Sequence, residues 1–301
     1  MLKRSTGEKV FNVVNIFFFI IFTCMMLLPI VYVLKQSFEV GIGGSLNLSL
    51  LPAKFSGLYY QMVVKEESVY RPFLNSVYIT IVGTSSSLLV NAIGAYTLSK
   101  RELPGSKAFI YFLVIFPMLF GGGLIPTYLL MRALGLIDRY AVLIIPAMAS
   151  GWNMILIRNY YWSIPDSLAE SARIDGAEEF TVFFRIILPL AKPVLAAIAL
   201  FTGVGFWNTF MAAIIYIRSP QKYTFPVKLR EMILIQATSM KDAQMWEAML
   251  MAMGFDPAQT AVTADGLSSA MMIVSMLPII LIYPYLQKHF AAGIMVGSIK
   301  G

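Results

Sequence analysis

The sequence predicts an all-α membrane protein that crosses the bilayer six times. Three observations carry that expectation. Of the 301 residues, 58% are hydrophobic and only 13% are charged, about half the charge of a soluble domain. The charges are clustered, which leaves long stretches free of Asp, Glu, Lys and Arg. Those stretches lack the strict alternation of a membrane β-barrel, so their backbone groups must be satisfied within helices. The same composition excludes intrinsic disorder, which requires low hydrophobicity and high charge. The single cysteine, Cys24, lies in an apolar run and has no disulfide partner, and the single histidine, His289, is far from it. No metal site is expected from such a set.

A crossing needs roughly 20 apolar residues at 1.5 Å each. Six charge-free stretches meet or approach that length: 10–34, 72–99, 108–131, 140–157, 193–217 and 266–287. The first has a basic start in Lys3, Arg4 and Lys9. It is nevertheless longer than the roughly 7–15-residue core of a secretory signal and lacks a small-residue cleavage site, so it reads as a span. Lys and Arg divide almost evenly between the two sides. The short basic loop from Lys100 and Arg101 to Lys107 and the basic start both favour cytoplasmic N- and C-termini. Segment 218–265 is then a long extracytoplasmic loop, with a short amphipathic helix expected around Trp246. The net charge of +7 suits anionic lipid headgroups. No basic block with interleaved aromatics points to nucleic acid.

Polar side chains inside spans are costly and usually face the bundle interior. Asn75, Asn91, Trp152, Asn153, Trp207, Asn208 and Thr209 are of this kind. One reading makes them helix–helix hydrogen bonds and interface aromatics. The other places Trp152, Asn153, Trp207 and Asn208 along a substrate path, where stacking and amide hydrogen bonds would suit a sugar.

The loop 158–192 carries the strongest signal. Ser167 and Glu170 have the spacing of a capping box, which starts a helix at Leu168. Gly176 suits the left-handed residue that ends it. Phe180, Phe183, Phe184 and Ile187 then fall on one face of a second helix, before Pro189 and Pro193 lead back to the membrane. Glu170, Asp175, Glu178 and Glu179 give the loop an acidic rim. Such a device could transmit a push from a soluble partner, or simply lie on the surface as a linker.

The run Glu170-Ser171-Ala172, Asp175-Gly176-Ala177, then Leu188-Pro189 resembles the "EAA" loop of membrane subunits of binding-protein-dependent ABC importers. Ser171 replaces the family's middle alanine, and Ile186 supplies its isoleucine. The run from Gly121 through Pro126 to Asp138, and the tail from Gly293 to Gly301, are similar to carbohydrate-uptake permeases related to the maltose permease subunit. They are especially similar to the LplC-like branch for complex oligosaccharides. The resemblance covers nearly the whole chain. It implies the type I ABC importer permease fold, in a bacterial cell membrane, with segment 163–189 as the cytoplasmic coupling loop. It also implies four kinds of partner: a second homologous permease subunit, an ABC ATPase dimer, an extracytoplasmic solute-binding protein and an oligosaccharide. Glu170, Ser171, Ala172, Asp175, Gly176, Ala177, Leu188, Pro189 and Lys300 would couple the chain to the ATPase.

ATP and Mg would belong to that partner. This chain has no G-x-x-x-x-G-K-[ST] phosphate loop, and the cluster Gly41, Gly43 and Gly44 lacks a following helix pattern. No cofactor and no enzyme activity are expected of it. Transport of a non-sugar solute is the nearest alternative. A secondary transporter would call for buried charges and an inverted repeat, and a membrane enzyme for a catalytic set.

Overall fold

A computed structural model of the chain describes residues 6–40, 51–52, 54–100, 110–239 and 262–297, with 244, 247, 248 and 251. Among these residues the regular elements are all helices, apart from an isolated bridge between Glu39 and Phe55. Two compact units emerge: Met1–Tyr70 with Leu229–Met276, and Arg71–Lys228 with Leu277–Gly301.

Among the described residues, three helices are long and apolar enough to cross a membrane unaided, at Gly7–Phe38, Glu67–Ser99 and Ala264–Pro284. They belong to α1 (Thr6–Phe38), α3 (Glu67–Ser99) and α13 (Ala264–Gly297). Cys24 lies on the exposed wall of α1. In the first unit, α2 (Leu58–Lys65) buries Tyr59, Met62 and Val63. The Tyr59 hydroxyl pairs with Thr263 Oγ1 at 3.0 Å, and Ser37 pairs with Tyr60 at 2.7 Å. Helix α12 (Phe225–Ser239) lies in the first half of the expected loop 218–265. The amphipathic helix expected around Trp246 lies largely outside the described residues.

The second unit departs from the expectation of straight spans. The stretch 108–131, expected as one helix, is interrupted. A π-helical turn at Ile110–Ile115 runs into α4 (Phe116–Leu119), and the chain leaves the helix from Phe120 to Gly123 before α5 (Leu124–Ala133). Gly123 sits at φ +77°, a conformation that glycine adopts without strain. The stretch 140–157 is a pair, α6 (Ala141–Met148) and α7 (Gly151–Tyr161), bent by 44°. Added bulk at Gly151 would come within 2.9 Å of the Val114 carbonyl oxygen.

The stretch 193–217 is also divided. Helix α10 (Lys192–Trp207) ends at Asn208, and α11 (Met211–Tyr216) follows. Upstream, α8 (Asp166–Ile174) and α9 (Glu179–Leu190) make up most of the segment 163–189, and α9 meets α10 at 77°. Pro189 cannot donate to the helical ladder. The turn before it, Phe183–Ile187, is wound as a π-helix, with the Leu188 N–H donating to the Phe183 carbonyl. Pro193 falls in the first turn of α10, where its missing N–H costs nothing.

Candidate functional site

The segment 163–189 folds as two short helices, but not with the expected start. Helix α8 begins at Asp166, and no side chain caps it. The extended Pro165 feeds directly into the helix, so Ser167 is already inside the first turn and Glu170 does not pair with it. The expected capping box does not form. Asp166 instead places a negative charge at the positive end of the helix dipole.

The far end of α8 matches the expectation. Gly176 has φ +84°. Its N–H donates to the Arg173 carbonyl, and the Ala177 N–H donates to the Ala172 carbonyl at 2.9 Å. This is the paired arrangement of a Schellman motif.

The inward face of α9 differs from the expected one. Val182, Phe183 and Ile187 are buried, together with Ala169 and Ala191, against Ala92, Ala95, Ile157 and Tyr161. Phe180, expected on that face, is 75% exposed, and Ile174 on α8 is 86% exposed. An α-helix would have placed positions 180, 183, 184 and 187 together, but on the turn Glu179–Val182 it is Val182 that packs inward, and the turn that follows is π-helical. The outcome is a surface with apolar tips beside Glu170, Ser171, Asp175 and Gly176, all exposed. Ala172 and Leu188 are half-buried against the core, Ala177 likewise, and Pro189 is exposed. Lys300 lies outside the described residues.

The expected acidic rim is also altered, because the Glu179 carboxylate is engaged by neighbouring side chains. Its Oε2 accepts from the Tyr96 hydroxyl at 2.6 Å and pairs with Lys100 Nζ at 3.0 Å. Its Oε1 accepts from Arg173 Nε at 2.7 Å. The Tyr96 hydroxyl, with Arg173 and Lys100, pulls the Glu179 carboxyl down to about 2. The pairing therefore contributes fully above the ordinary value of 4.5 and is lost only as pH falls towards 2. The Glu179 side chain is 55% exposed, so solvent screens much of the attraction. Its consequence is geometric. Tyr96 in turn packs on Phe183, with ring centroids 4.9 Å apart. A cavity of about 420 Å³ borders this network, with Glu170 in its wall.

Beside it, Arg158 and Trp162 close the end of α3. Arg158 Nε donates to the Leu98 carbonyl and Trp162 Nε1 to the Ser99 carbonyl, each at 3.0 Å. The guanidinium also lies 3.7 Å from the Trp162 ring centre. Neither this clasp nor the Glu179 network was legible in the sequence. The basic residue after Ser99 and the acid after Glu178 were visible, but not their pairing.

The opposite end of the unit has its own clasp. Asp138, at φ +59°, accepts from the N–H groups of Arg218 and Ser219 at 3.0 and 2.9 Å. It also accepts from the Ser219 hydroxyl at 2.6 Å and from Lys222 Nζ at 2.9 Å. The Ser219 hydroxyl and amide, with Lys222, hold its carboxyl well below the usual range. The clasp is thus intact at any pH above the ordinary carboxylate value, and acid below that value releases it. Asp138→Ala removes these acceptors and strains a left-handed residue. We expect it to weaken the clasp by about 2–3 kcal/mol. Hydrogen exchange at the Arg218 and Ser219 amides should rise strongly, while Asp138→Asn should show a smaller rise. Unchanged exchange in the alanine variant would refute this.

The polar span residues are distributed rather than gathered. Asn91 Oδ1 accepts from the Ser150 N–H at 2.9 Å, and its Nδ2 donates to the Met148 carbonyl at 2.9 Å. Asn75 Nδ2 donates to the Gln221 and Tyr223 carbonyls, and its Oδ1 accepts from the Tyr140 hydroxyl. Asn153 Nδ2 donates to Thr202 Oγ1 at 3.3 Å. Trp207 is buried edge-on to Phe73, with centroids 5.5 Å apart. Trp152 and Asn208 are exposed, Asn208 at the end of α10. The Thr209 carbonyl accepts from the Thr224 hydroxyl at 2.8 Å.

Residues 1–296 match the family described as binding-protein-dependent transport system inner membrane component. The chain is 36% identical over 295 residues to the polygalacturonan/rhamnogalacturonan transport system permease protein YtcP of Bacillus subtilis (strain 168), covering 98% of this chain and 99% of that protein. It is 39% identical over 302 residues to Protein LplC of the same organism, covering 100% and 98%. Among solved structures, it resembles a bacterial ABC transporter involved in the import of the acidic polysaccharide alginate. The TM-score is 0.85 at 30% identity, over 96% of this chain and 100% of that one. The chain belongs to the family of inner membrane components of binding-protein-dependent transport systems, as a multi-pass permease subunit built from helices.

Proposed function

We propose that this chain forms half of the translocation pathway of an ATP-driven oligosaccharide importer, and that the segment 163–189 is where the ATPase pushes. The observation that carries this reading is the surface of α8 and its glycine turn. Ile174 and Phe180 are exposed there, at 86% and 75%. Exposed large apolar side chains grouped beside charged ones mark a surface made for a protein partner. Glu170, Ser171, Ala172, Asp175, Gly176, Ala177, Leu188 and Pro189 would form or support this docking face. Lys300 would approach the same partner from the tail.

The remaining assembly follows from the resemblance. A second homologous permease would complete the channel, and a solute-binding protein would deliver the sugar from outside. ATP and Mg would reside on the ATPase pair, and both termini of this chain would lie in the cytoplasm. The names of two relatives, one for polygalacturonan and rhamnogalacturonan and one for alginate, support an oligosaccharide cargo. Trp152, Asn153, Trp207 and Asn208 remain the candidates for its path. Trp207 would then act through packing.

The test is to purify the tagged chain from native membranes in mild detergent and identify its companions by mass spectrometry. We expect an ABC ATPase and a second permease. The associated binding protein would then be titrated with neutral and acidic oligosaccharides. A stable complex without an ATPase, or a binding protein that takes only non-sugar solutes, would overturn the corresponding half of the reading.

A further inference from the structure

Helix α3 is held at both of its ends, by different parts of the chain. Its last turn is tied to the coupling segment. Tyr96 and Lys100 meet Glu179 at 2.6 and 3.0 Å, and Glu179 also holds Arg173 of α8 at 2.7 Å. The Leu98 and Ser99 carbonyls are taken by Arg158 and Trp162. Its first turns are tied to the segment at the opposite end of the unit. Asn75 donates to the Gln221 and Tyr223 carbonyls, at 2.8 and 2.9 Å. Ser76 Oγ accepts from the Phe225 N–H at 2.8 Å.

Between these grips lies about 30 Å of helix at 1.5 Å per residue. Ile79, Asn91 and Ala95 along it are completely buried. The other routes between the ends are articulated. Helices α6 and α7 bend by 44°, and α9 and α10 by 77°. A displacement entering at α8 can be absorbed at those bends. It cannot be absorbed within an unbroken helix that has no slack at either end, because packed interiors shift as bodies rather than deform continuously.

We propose that α3 is a rod that carries movement of the coupling loop to the segment 217–225 at the other end of the unit, with Glu179 as the positioning residue that locks the rod to the loop. This rests on the docking assigned above to segment 163–189, but Glu179 has a different role from the docking residues. Its carboxylate, though partly exposed, joins three elements: α8 through Arg173, α9 through its own backbone, and the end of α3 through Tyr96 and the adjoining Lys100. The carboxylate is the common acceptor for one hydroxyl and two cations. Its amide cannot serve all three, since it carries no charge and has one acceptor oxygen.

The test reads the far end of the rod. In the complex purified through this chain, Cys24→Ser and Gln221→Cys leave one cysteine on the subunit, at the segment gripped by Asn75. Its rate of labelling by a maleimide is measured without nucleotide and after trapping with ATP and vanadate. In the parent, trapping should change the rate several-fold. Glu179→Gln should abolish that change with the ATPase still co-purifying, and Glu179→Asp should restore part of it. Tyr96→Phe keeps the ring against Phe183 and serves if the glutamine variant fails to assemble. It should reduce the change. The rod is refuted if the parent shows no change on trapping. It is also refuted if Glu179→Gln, or Tyr96→Phe where the glutamine variant does not assemble, keeps the full change. Absence of any co-purified ATPase from the parent would refute the docking reading, and the rod with it, before labelling begins.

Discussion

Gly176→Asp is expected to abolish uptake while leaving the chain folded and inserted. The two halves of that expectation have separate physical sources. Gly176 lies at φ +84°, and a Cβ built on it meets nothing within 4 Å. Aspartate is among the residues that tolerate the left-handed region, so the intramolecular cost is about 1 kcal/mol. The Schellman hydrogen bonds of Gly176 and Ala177 use backbone atoms and survive. The added carboxylate, however, points into the open face beside Asp175, where the partner would sit. An unpaired charge desolvated at such an interface costs several kcal/mol, and about 1.4 kcal/mol is tenfold in affinity. Uptake of labelled oligosaccharide should fall to background, with normal amounts of chain in the membrane and little ATPase recovered with it. Gly176→Asn, with the same shape and no charge, should retain more ATPase. Full uptake by a correctly inserted Gly176→Asp chain would defeat the docking assignment.

The second large effect concerns folding. Asn91→Leu should destabilise the subunit more than Asn75→Leu does. Asn91 is completely buried. It supplies partners for the Ser150 N–H and the Met148 carbonyl, the two backbone groups flanking the break between α6 and α7. Leucine matches its size but offers neither. A fully buried orphaned group costs about 1–3 kcal/mol; these two are partly buried, so the loss is on the order of 2–4 kcal/mol. Asn75 serves a segment nearer the end of the unit, where water can replace part of what is lost. Thermal unfolding of the two variants in detergent, followed by size-exclusion chromatography, measures the difference. Equal stability of Asn91→Leu and the parent would show that the break is satisfied by other means.

What could be read beforehand follows from how locally each property is encoded. Long charge-free stretches announced helices because lipid offers no partner for an open backbone. Gly176 announced its turn because a residue at positive φ favours glycine. The capping box at Ser167 misled, since its spacing was right but the helix starts two residues earlier, directly after Pro165. The aromatic face of α9 misled for a related reason. An α-helical period put Phe180 inward, but Val182 fills the packed side of the turn Glu179–Val182 and leaves Phe180 exposed.

Composition and hydropathy sufficed to identify a helical, multi-pass membrane protein, and glycine chemistry to place the turn at Gly176. Hydropathy and glycine conformation are properties of a residue and its neighbours, so they survive reduction to one dimension. Only the tertiary structure decided that Glu179 faces Tyr96, Lys100 and Arg173, that Asn91 stitches the break at Ser150, and that Asp138 clasps the segment after Ile217. Each of these pairings requires atoms from elsewhere in the chain to come within about 3 Å. No local rule specifies that approach, because it is set by how the helices bend and pack.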